Sequence, residues 1–278
     1  MRTAPLMRAL GRLLTPFLGL VLALLIPATT VSASTEAQRC ASALGGALSG
    51  HESRLETSVS VLSWNIQKAS NTGWQDDLAA LAGSDIHLAF IQEAAAQAAI
   101  AQSIPAPLYQ AFAAGYTTDD IETGVLTLSA STPSLHCNLT AWEPWLGTPK
   151  ATSITEHPIR DRNERLLAVN IHAVNFAVGL EEFRAQIHAI TAVLDNHRGP
   201  IIVAGDLNTW SDARQALVDE FMSEHGLLAV EFAPDLRTTA FGRALDHIYV
   251  RGLAPAEARV VPVSSSDHNP LLVRLQIL

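Results

Sequence analysis

The sequence predicts a single α/β domain. Strand-length apolar runs alternate with helix-period segments from about residue 57 to the C-terminus, no Pro- or charge-rich gap divides that stretch, and no period marks a repeat protein. With 278 residues, 48% hydrophobic and 16% charged, the chain is too apolar for a disordered tail and long enough to bury a large core. Collagen, coiled coil and disulfide-rich miniprotein are excluded on the same grounds.

Val59 to Ile66 opens the domain as a strand, Asp76 to Ala82 follows as a short helix, and Ile86 to Gln92 is a second strand. Gly124 to Leu128 and Leu166 to Ile171 are the next strand candidates. Leu180 to Asn196 is the clearest helix, because Phe183, Ile187, Ile190 and Leu194 recur at helical spacing and leave Glu181, Glu182 and Arg184 for solvent. It leads into the strand Ile201 to Ala204. Ser211 is placed to cap a helix running to about Glu224, with Asp212 in its first turn. Leu245 to Val250 and Leu271 to Leu275 complete the strands. The domain is thus expected over residues 57–278. Ser34 to Glu56, rich in Ala, Ser and Gly without a sustained period, reads as a linker or loosely docked leader.

Residues 1–33 have the form of an export signal. Arg2, Arg8 and Arg12 precede an apolar core from Phe17 to Ile26, and Val31-Ser32-Ala33 offers a cleavage site. The expectation is an exported, periplasmic or secreted protein; the alternative is an uncleaved membrane anchor, against which Pro16, Pro27 and the Thr/Ser run shorten the apolar stretch. The formal charge of −9 argues against bulk binding of nucleic acid, although a bound divalent cation would reverse the local sign. Cys40 and Cys137 are too few for a metal knuckle and too far apart for a CxxC pair, which leaves a disulfide or two buried thiols.

Several polar residues stand at the ends of apolar strands: Asn65 in SWNIQK, Glu93 in FIQEA, His172 in VNIHAVNF, Asp206 and Asn208 in VAGDLNTW, Asp246 in LDHIYV, and Asp267 with His268 in SSSDHNP. Strand ends are where an α/β scaffold gathers a site from distant parts of the chain. Each residue alone has a plain structural role open to it, as a turn, a cap or a first-turn helix acid. Together, carboxylates and amides suit a hard cation such as Mg²⁺, with Mn²⁺ or Ca²⁺ as alternatives, and flanking histidines suit proton exchange or phosphate contact. Zinc fits less well, since the 10 histidines include no HExxH.

This order of residues, each following an apolar strand, resembles the endonuclease/exonuclease/phosphatase superfamily of DNase I-like enzymes. The resemblance covers Val59 to Leu278 and is most specific in SWNIQKAS, GDLNTW and SSDHNPLLV; TGVLTLSA, EPWLGTPKA and VNIHAVNFAVGL are similar to its YafD-like bacterial branch, which implies no substrate. The resemblance implies a four-layered α/β sandwich, two facing mixed β-sheets flanked by helices. It makes Glu93 the principal metal ligand with Asn65 beside it and Asp267 assisting. Asp206 and Asn208 would position and polarise the attacking water or the phosphate. His268, oriented by Asp246, would be the general base or a phosphate-stabilising imidazolium, and His172 would sit across the scissile phosphate near the leaving oxygen. His247 is expected to be a strand residue, and Gln67 and Lys68 are placed to reach phosphate. One departure is Ala130, where many relatives carry a basic residue after the Gly124 strand. Arg160, Arg162 and Arg165 form the densest basic cluster, either facing substrate or neutralised by Asp161 and Glu164 in a solvated loop.

The expected function is an exported Mg²⁺-dependent phosphoesterase acting on a phosphodiester. The substrate is a nucleic acid, or alternatively a phospholipid or inositol phosphate, and the chain is expected to be monomeric. A catalytically silent binding module on the same fold is the other class, although every site position remains chemically competent. A serine hydrolase built on Ser264 to Ser266 is disfavoured, because the sequence lacks a GxSxG elbow.

Overall fold

A computed structural model of the protein describes residues 33–278, apart from Ser49, Ser84, Ala106, Pro107, Asp119, Trp145 and Val178. The predicted export segment, save Ala33, lies outside the described residues. Along the chain the elements are α1 (Ala33–Ala43), β1 (Ser58–Asn65), α2 (Trp74–Ala82), β2 (Leu88–Ala95), β3 (Tyr109–Thr118), β4 (Ile121–Ser129), β5 (Leu135–Glu143), β6 (Thr148–Pro158) and β7 (Arg165–His172). They continue as α3 (Glu181–His188), α4 (Thr191–Asn196), β8 (Ile201–Asp206), α5 (Asp212–Glu224), β9 (Leu228–Ala229), β10 (Thr239–Ala240), β11 (Arg243–Ala244), β12 (Asp246–Arg251), β13 (Leu253–Val260) and β14 (Leu271–Ile277).

Two six-stranded sheets result, ordered β13-β14-β1-β2-β4-β3 and β5-β6-β7-β8-β12-β9, with β10 and β11 as a separate hairpin. Each large sheet is mixed, because β1 and β2, and β7 and β8, run parallel while their other pairings are antiparallel. The expected four-layered α/β sandwich is what forms.

Strand parity explains the layers. In β1, Val59 and Val61 join Leu88, Phe90, Leu166, Ala168, Ile202, Ala204, Ile248 and Val250 in the core between the sheets. The alternate residues Leu62 and Trp64 face outward onto Trp74, Leu78 and Ala82 of α2. On the other side, Leu167, Val169, Ile171, Ile201 and Val203 meet Phe183, Ile187, Val193 and Leu194 of α3 and α4, and Leu217, Val218 and Phe221 of α5. Each fully buried Leu, Ile or Phe contributes roughly 1.5–3 kcal/mol of transfer free energy, so these three layers dominate the stability of the fold.

Several details differ from expectation. The predicted helix Leu180 to Asn196 is two helices, broken after His188 where the Ala189 N–H is shared between the carbonyls of Ala185 and Gln186 and the turn tightens. Strand β6 carries no apolar alternation, yet Thr152, Ser153, Thr155, Glu156 and His157 are all buried in it; His157 bonds Ser131 and Thr155 and Glu156 accepts from Ser134, while Ser153 Oγ is left without a partner. The stretch Ser34 to Glu56, read as a linker or loosely docked leader, begins with helix α1, whose Ala37 and Cys40 are buried in the outer core. Cys40 is disulfide-bonded to Cys137 of β5, with Cα atoms 5.9 Å apart. The helix is therefore both packed and covalently tied.

Candidate active site

The inner-facing parity that builds the central core also aims the site. On β1, β7, β8 and β12 the residues in phase with Val59, Ala168, Ala204 and Ile248 are Asn65, His172, Asp206 and Asp246, so all four point into the inter-sheet layer at one end of the sandwich. Their ends are level, because the register pairs His172 with Asp206, Asp246 with Asp206, and Asn65 with Gln92. Beneath them the Gln92 side-chain amide donates to Asn170 Oδ1 at 2.8 Å, and Asn170 donates to the Leu126 carbonyl, closing the layer with hydrogen bonds across the two sheets. A side chain at Gly205 would collide with the Ile171 carbonyl and the Gln92 amide, and φ is +141° there, so glycine is required.

Glu93 does not follow the parity rule. A bulge shifts the β2–β4 register between Ile91 and Ala94, and Glu93 has φ +49°, an unusual conformation for a non-glycine residue. The bulge re-aims its carboxylate to within 3.9 Å of His172 Nε2 and 3.7 Å of Lys68 Nζ. Asn208 likewise has φ +49°, and its backbone N–H donates to Asp206 Oδ1 at 3.0 Å. Strained backbone at two candidate site residues is the kind of feature a scaffold keeps for function rather than stability.

His268 reaches the site from the loop after β13. That loop is tied to β1: Ser266 Oγ donates to the Asn65 carbonyl at 2.7 Å, the His268 N–H donates to Ser266 Oγ, and Trp64 Nε1–H donates to the His268 carbonyl. The His268 ring donates from Nδ1 to Asp246 Oδ2 at 2.7 Å, and its Nε2 lies 3.9 Å from Asp206 Oδ2. Burial opposes a charged ring, but the Asp246, Asp206 and Asp267 carboxylates outweigh it and push the pKa up to about 10. Asp206, driven by burial and the neighbouring Asp246 and restrained by His268, the Asn208 N–H and Asn65, rises to about 6. The Asn65 amide donates to Asp206 Oδ2 at 3.0 Å.

On the opposite side, His172 Nε2 accepts from the Lys150 ammonium at 3.1 Å and lies 3.6 Å from Asp206 Oδ2. Burial first, then the charges of Lys150, His268 and Lys68, hold the His172 pKa well below its ordinary value, so the ring is neutral. Lys150 also pairs with the buried Glu143 at 3.9 Å, and Tyr116 stands under both Lys68 and Lys150. Lys150, Glu143 and Tyr116 were not singled out from sequence. Lys150 and Glu143 lie in EPWLGTPKA, a stretch valued only as a likeness, and its two flanking strands carry too little apolar pattern to show which way a lysine points.

The structure thus brings Asn65, Glu93, His172, Asp206, Asn208, Asp246 and His268 together. Asp267 is exposed at the rim, beside His268 in the chain, with its carbonyl accepting from Thr238. Among the described residues, the compact group of His, Cys, Asp and Glu ligand atoms is Asp206, Asp246 and His268, all within 4.8 Å of one another. Asp246 Oδ1 is buried without a hydrogen bond beside the Asp206 carboxylate, an open oxygen-rich donor set that fits a hard divalent cation, whereas Glu93 is paired with Lys68.

His247 packs as expected of a strand residue, bonded to Thr209 and Arg237 and pushed down to about 4 by burial. The Arg160–Arg165 cluster does not face the candidate site. It lies at the far end of β7 from His172, roughly 23 Å at strand rise, and Arg160, Arg162 and Arg165 pair with Glu56, Glu164 and Glu156.

Two mixed sheets packed face to face, with polar strand ends and a loop histidine converging at one edge, define a DNase I-like α/β sandwich. Residues 62–268 match the Endonuclease/Exonuclease/phosphatase family, and the chain belongs to it. A UPF0294 protein of Vibrio vulnificus is 38% identical over 220 residues, covering 78% of this chain and 77% of its own. The fold is also similar to that of a mannosyl-6-phosphatase of Bacteroides thetaiotaomicron, at TM-score 0.60 and 17% identity over 78% of this chain and 99% of that one. The human Nocturnin catalytic domain with bound sulfate matches at TM-score 0.59 and 16% identity, over 82% and 97% of the two chains.

Proposed function

We propose that the protein is an exported, Mg²⁺-dependent phosphoesterase that hydrolyses phosphodiester bonds. The observation that carries this reading is the His268 ring held between the buried carboxylates Asp246 and Asp206, facing the Lys150–His172 pair across one small site. Water attacks phosphorus, its oxygen forming the new P–O bond while the opposite P–O bond breaks. Asp206, raised to about 6 yet still ionised at neutral pH, takes the proton the water gives up. The His268 imidazolium offers its far N–H to a non-bridging oxygen, while Asp246 keeps the ring charged and correctly turned. On the other side the Lys150 ammonium, with neutral His172 beside it, supplies positive charge and a proton to the departing oxygen. A divalent cation held by Glu93 and Asn65, with Asp267 at the rim, would supply Lewis-acid stabilisation of the phosphoryl oxygens when bound.

Family membership and the anion bound by the Nocturnin domain support this reading. The Cys40–Cys137 disulfide supports export, because such bonds persist in oxidising compartments. The test is a panel of DNA, RNA, sphingomyelin, inositol phosphates and bis-p-nitrophenyl phosphate, assayed with Mg²⁺ and with excess chelator. At least one substrate should be cleaved only with metal, and His268→Ala should slow it by ~10²-fold or more. Chelator-resistant turnover, or a variant as fast as the wild type, refutes the mechanism. Mass spectrometry of the exported protein should find Ser34 or a near neighbour at the N-terminus, and an intact Met1 in membranes refutes cleavage.

A further inference from the structure

A cavity of about 450 Å³ opens beside Asn208, against the proposed catalytic group but outside it. Its walls are Phe176, Trp210, Phe241, Leu245 and two alanines, with Asn175 and Asn208 the polar members. Each of those side-chain amides has one atom engaged. Asn175 Oδ1 accepts from Trp210 Nε1–H at 3.0 Å, while its backbone N–H donates to Glu143, and Asn208 Nδ2 donates to the Ala173 carbonyl. The wall therefore offers mainly apolar contact.

The rim carries the second observation. Phe241 and Gly242 form the two-residue loop of the β10–β11 hairpin, with φ of +51° and +79°. Such a loop favours Asn-Gly or Asp-Gly, and a bulky side chain at its first position is held in a disfavoured backbone region. Phe241 is nevertheless there, 90% exposed, and Phe176 on the same cavity is 55% exposed. The Phe241 ring has one aromatic neighbour, Trp210 edge-on at 6.1 Å, and buries too little surface to offset the strain it puts on its own turn. Strain and exposure together mark a surface kept for contact with something apolar.

Charge decides what that is. The arginines beside the hairpin are each matched by a carboxylate, Arg237 by Asp235 and Arg243 by Asp212, and the chain as a whole carries −9. A polyphosphate backbone would find no cationic track at this edge. A lipid with no net charge would find an apolar slot next to a phosphate site, rimmed by two exposed rings.

We infer that this cavity seats an acyl chain, so that the phosphoester hydrolysed at the site is borne by a phospholipid. The inference rests on the phosphoesterase reading and narrows it to a substrate class. The mature chain is sedimented with phosphatidylcholine vesicles, and hydrolysis of dihexanoyl phosphatidylcholine is compared with that of glycerophosphocholine, which has the same headgroup and no acyl chain. The wild type should bind the vesicles and favour the acylated substrate at least tenfold in kcat/KM. Phe241→Asn, which suits the turn, should hold or raise the melting temperature while vesicle affinity falls tenfold or more and the two substrates converge. The rate on glycerophosphocholine should not change.

A wild type that ignores vesicles, or cleaves the two substrates equally, overturns the inference while leaving the phosphoesterase reading intact. A preference for single-stranded oligonucleotide that Phe241→Asn weakens also overturns it, by showing that the cavity stacks a base. Vesicle binding lost in Phe241→Asn, with no phosphoester cleaved, refutes the phosphoesterase reading and its substrate assignment but supports the acyl chain as the occupant of the cavity.

Discussion

Asp246→Asn tests the most specific feature of the site. The substitution keeps the shape and an oxygen acceptor 2.7 Å from His268 Nδ1 but removes the charge. In the folded protein the His268 pKa is pushed from 6.5 up to about 10 against the effect of burial, with Asp246 foremost among the groups that raise it. That interval corresponds to ~5 kcal/mol favouring the charged ring. Burial opposes that rise and Asp206 and Asp267 share in it, so losing Asp246, the foremost raising group, should lower the pKa by about two units or more, on the order of 3 kcal/mol. The sign follows from linkage: a raised folded pKa stabilises the protein below pH 6.5, and that contribution is lost as pH rises through about 10. The assay is a histidine NMR titration of the metal-free protein alongside pH-rate profiles. In the wild type the His268 signal should stay protonated past pH 8; in Asp246→Asn it should titrate near or below 8, and the alkaline limb of activity should move down with it. If His268 titrates near 6.5 in the wild type, or the variant leaves its titration unchanged, the charged-imidazolium account is wrong.

Three further outcomes are expected. Glu93→Gln should weaken Mg²⁺ binding about 10- to 100-fold by calorimetry without unfolding the chain, since it removes a carboxylate whose neighbours are Lys68 and His172; unchanged affinity would place the ion elsewhere. Replacing both Cys40 and Cys137 by Ala opens a loop of 97 residues and should lower unfolding free energy by ~2–4 kcal/mol in denaturant titration, with α1 the first segment to exchange its amides. His157 is fully buried, bonded to Ser131 and Thr155, and pushed down to about 3 by burial. Below pH 6.5 the unfolded chain takes up a proton that the folded chain refuses, so stability should fall by up to ~1.4 kcal/mol per pH unit towards pH 3, and His157→Asn should flatten that slope.

Asn65, His172, Asp206 and Asp246 were legible in the sequence because a polar residue ending an apolar strand has few places to go. Strand parity with Val59, Ala168, Ala204 and Ile248 sends all four into the inter-sheet layer, and that parity is a property of the local sequence. The order of strands and helices was readable for the same reason, since the central strands are apolar enough to announce themselves. Edge strands β3 and β13 and strands β5 and β6 were not, because their side chains are polar, small or half exposed and their pairing is decided by neighbouring strands.

What tertiary structure alone decided has a common cause: each case depends on contacts between distant segments. The bulge that turns Glu93 into the site exists because β2 pairs with β4 in a shifted register. Lys150 meets His172 only when β6 lies beside β7, and the Cys40–Cys137 bond needs helix α1 laid against β5. Local sequence determined which groups could do chemistry and which face of each strand they occupy. Packing of the two sheets then set their distances, their charges and the apolar cavity beside them, because those quantities belong to no single segment of the chain.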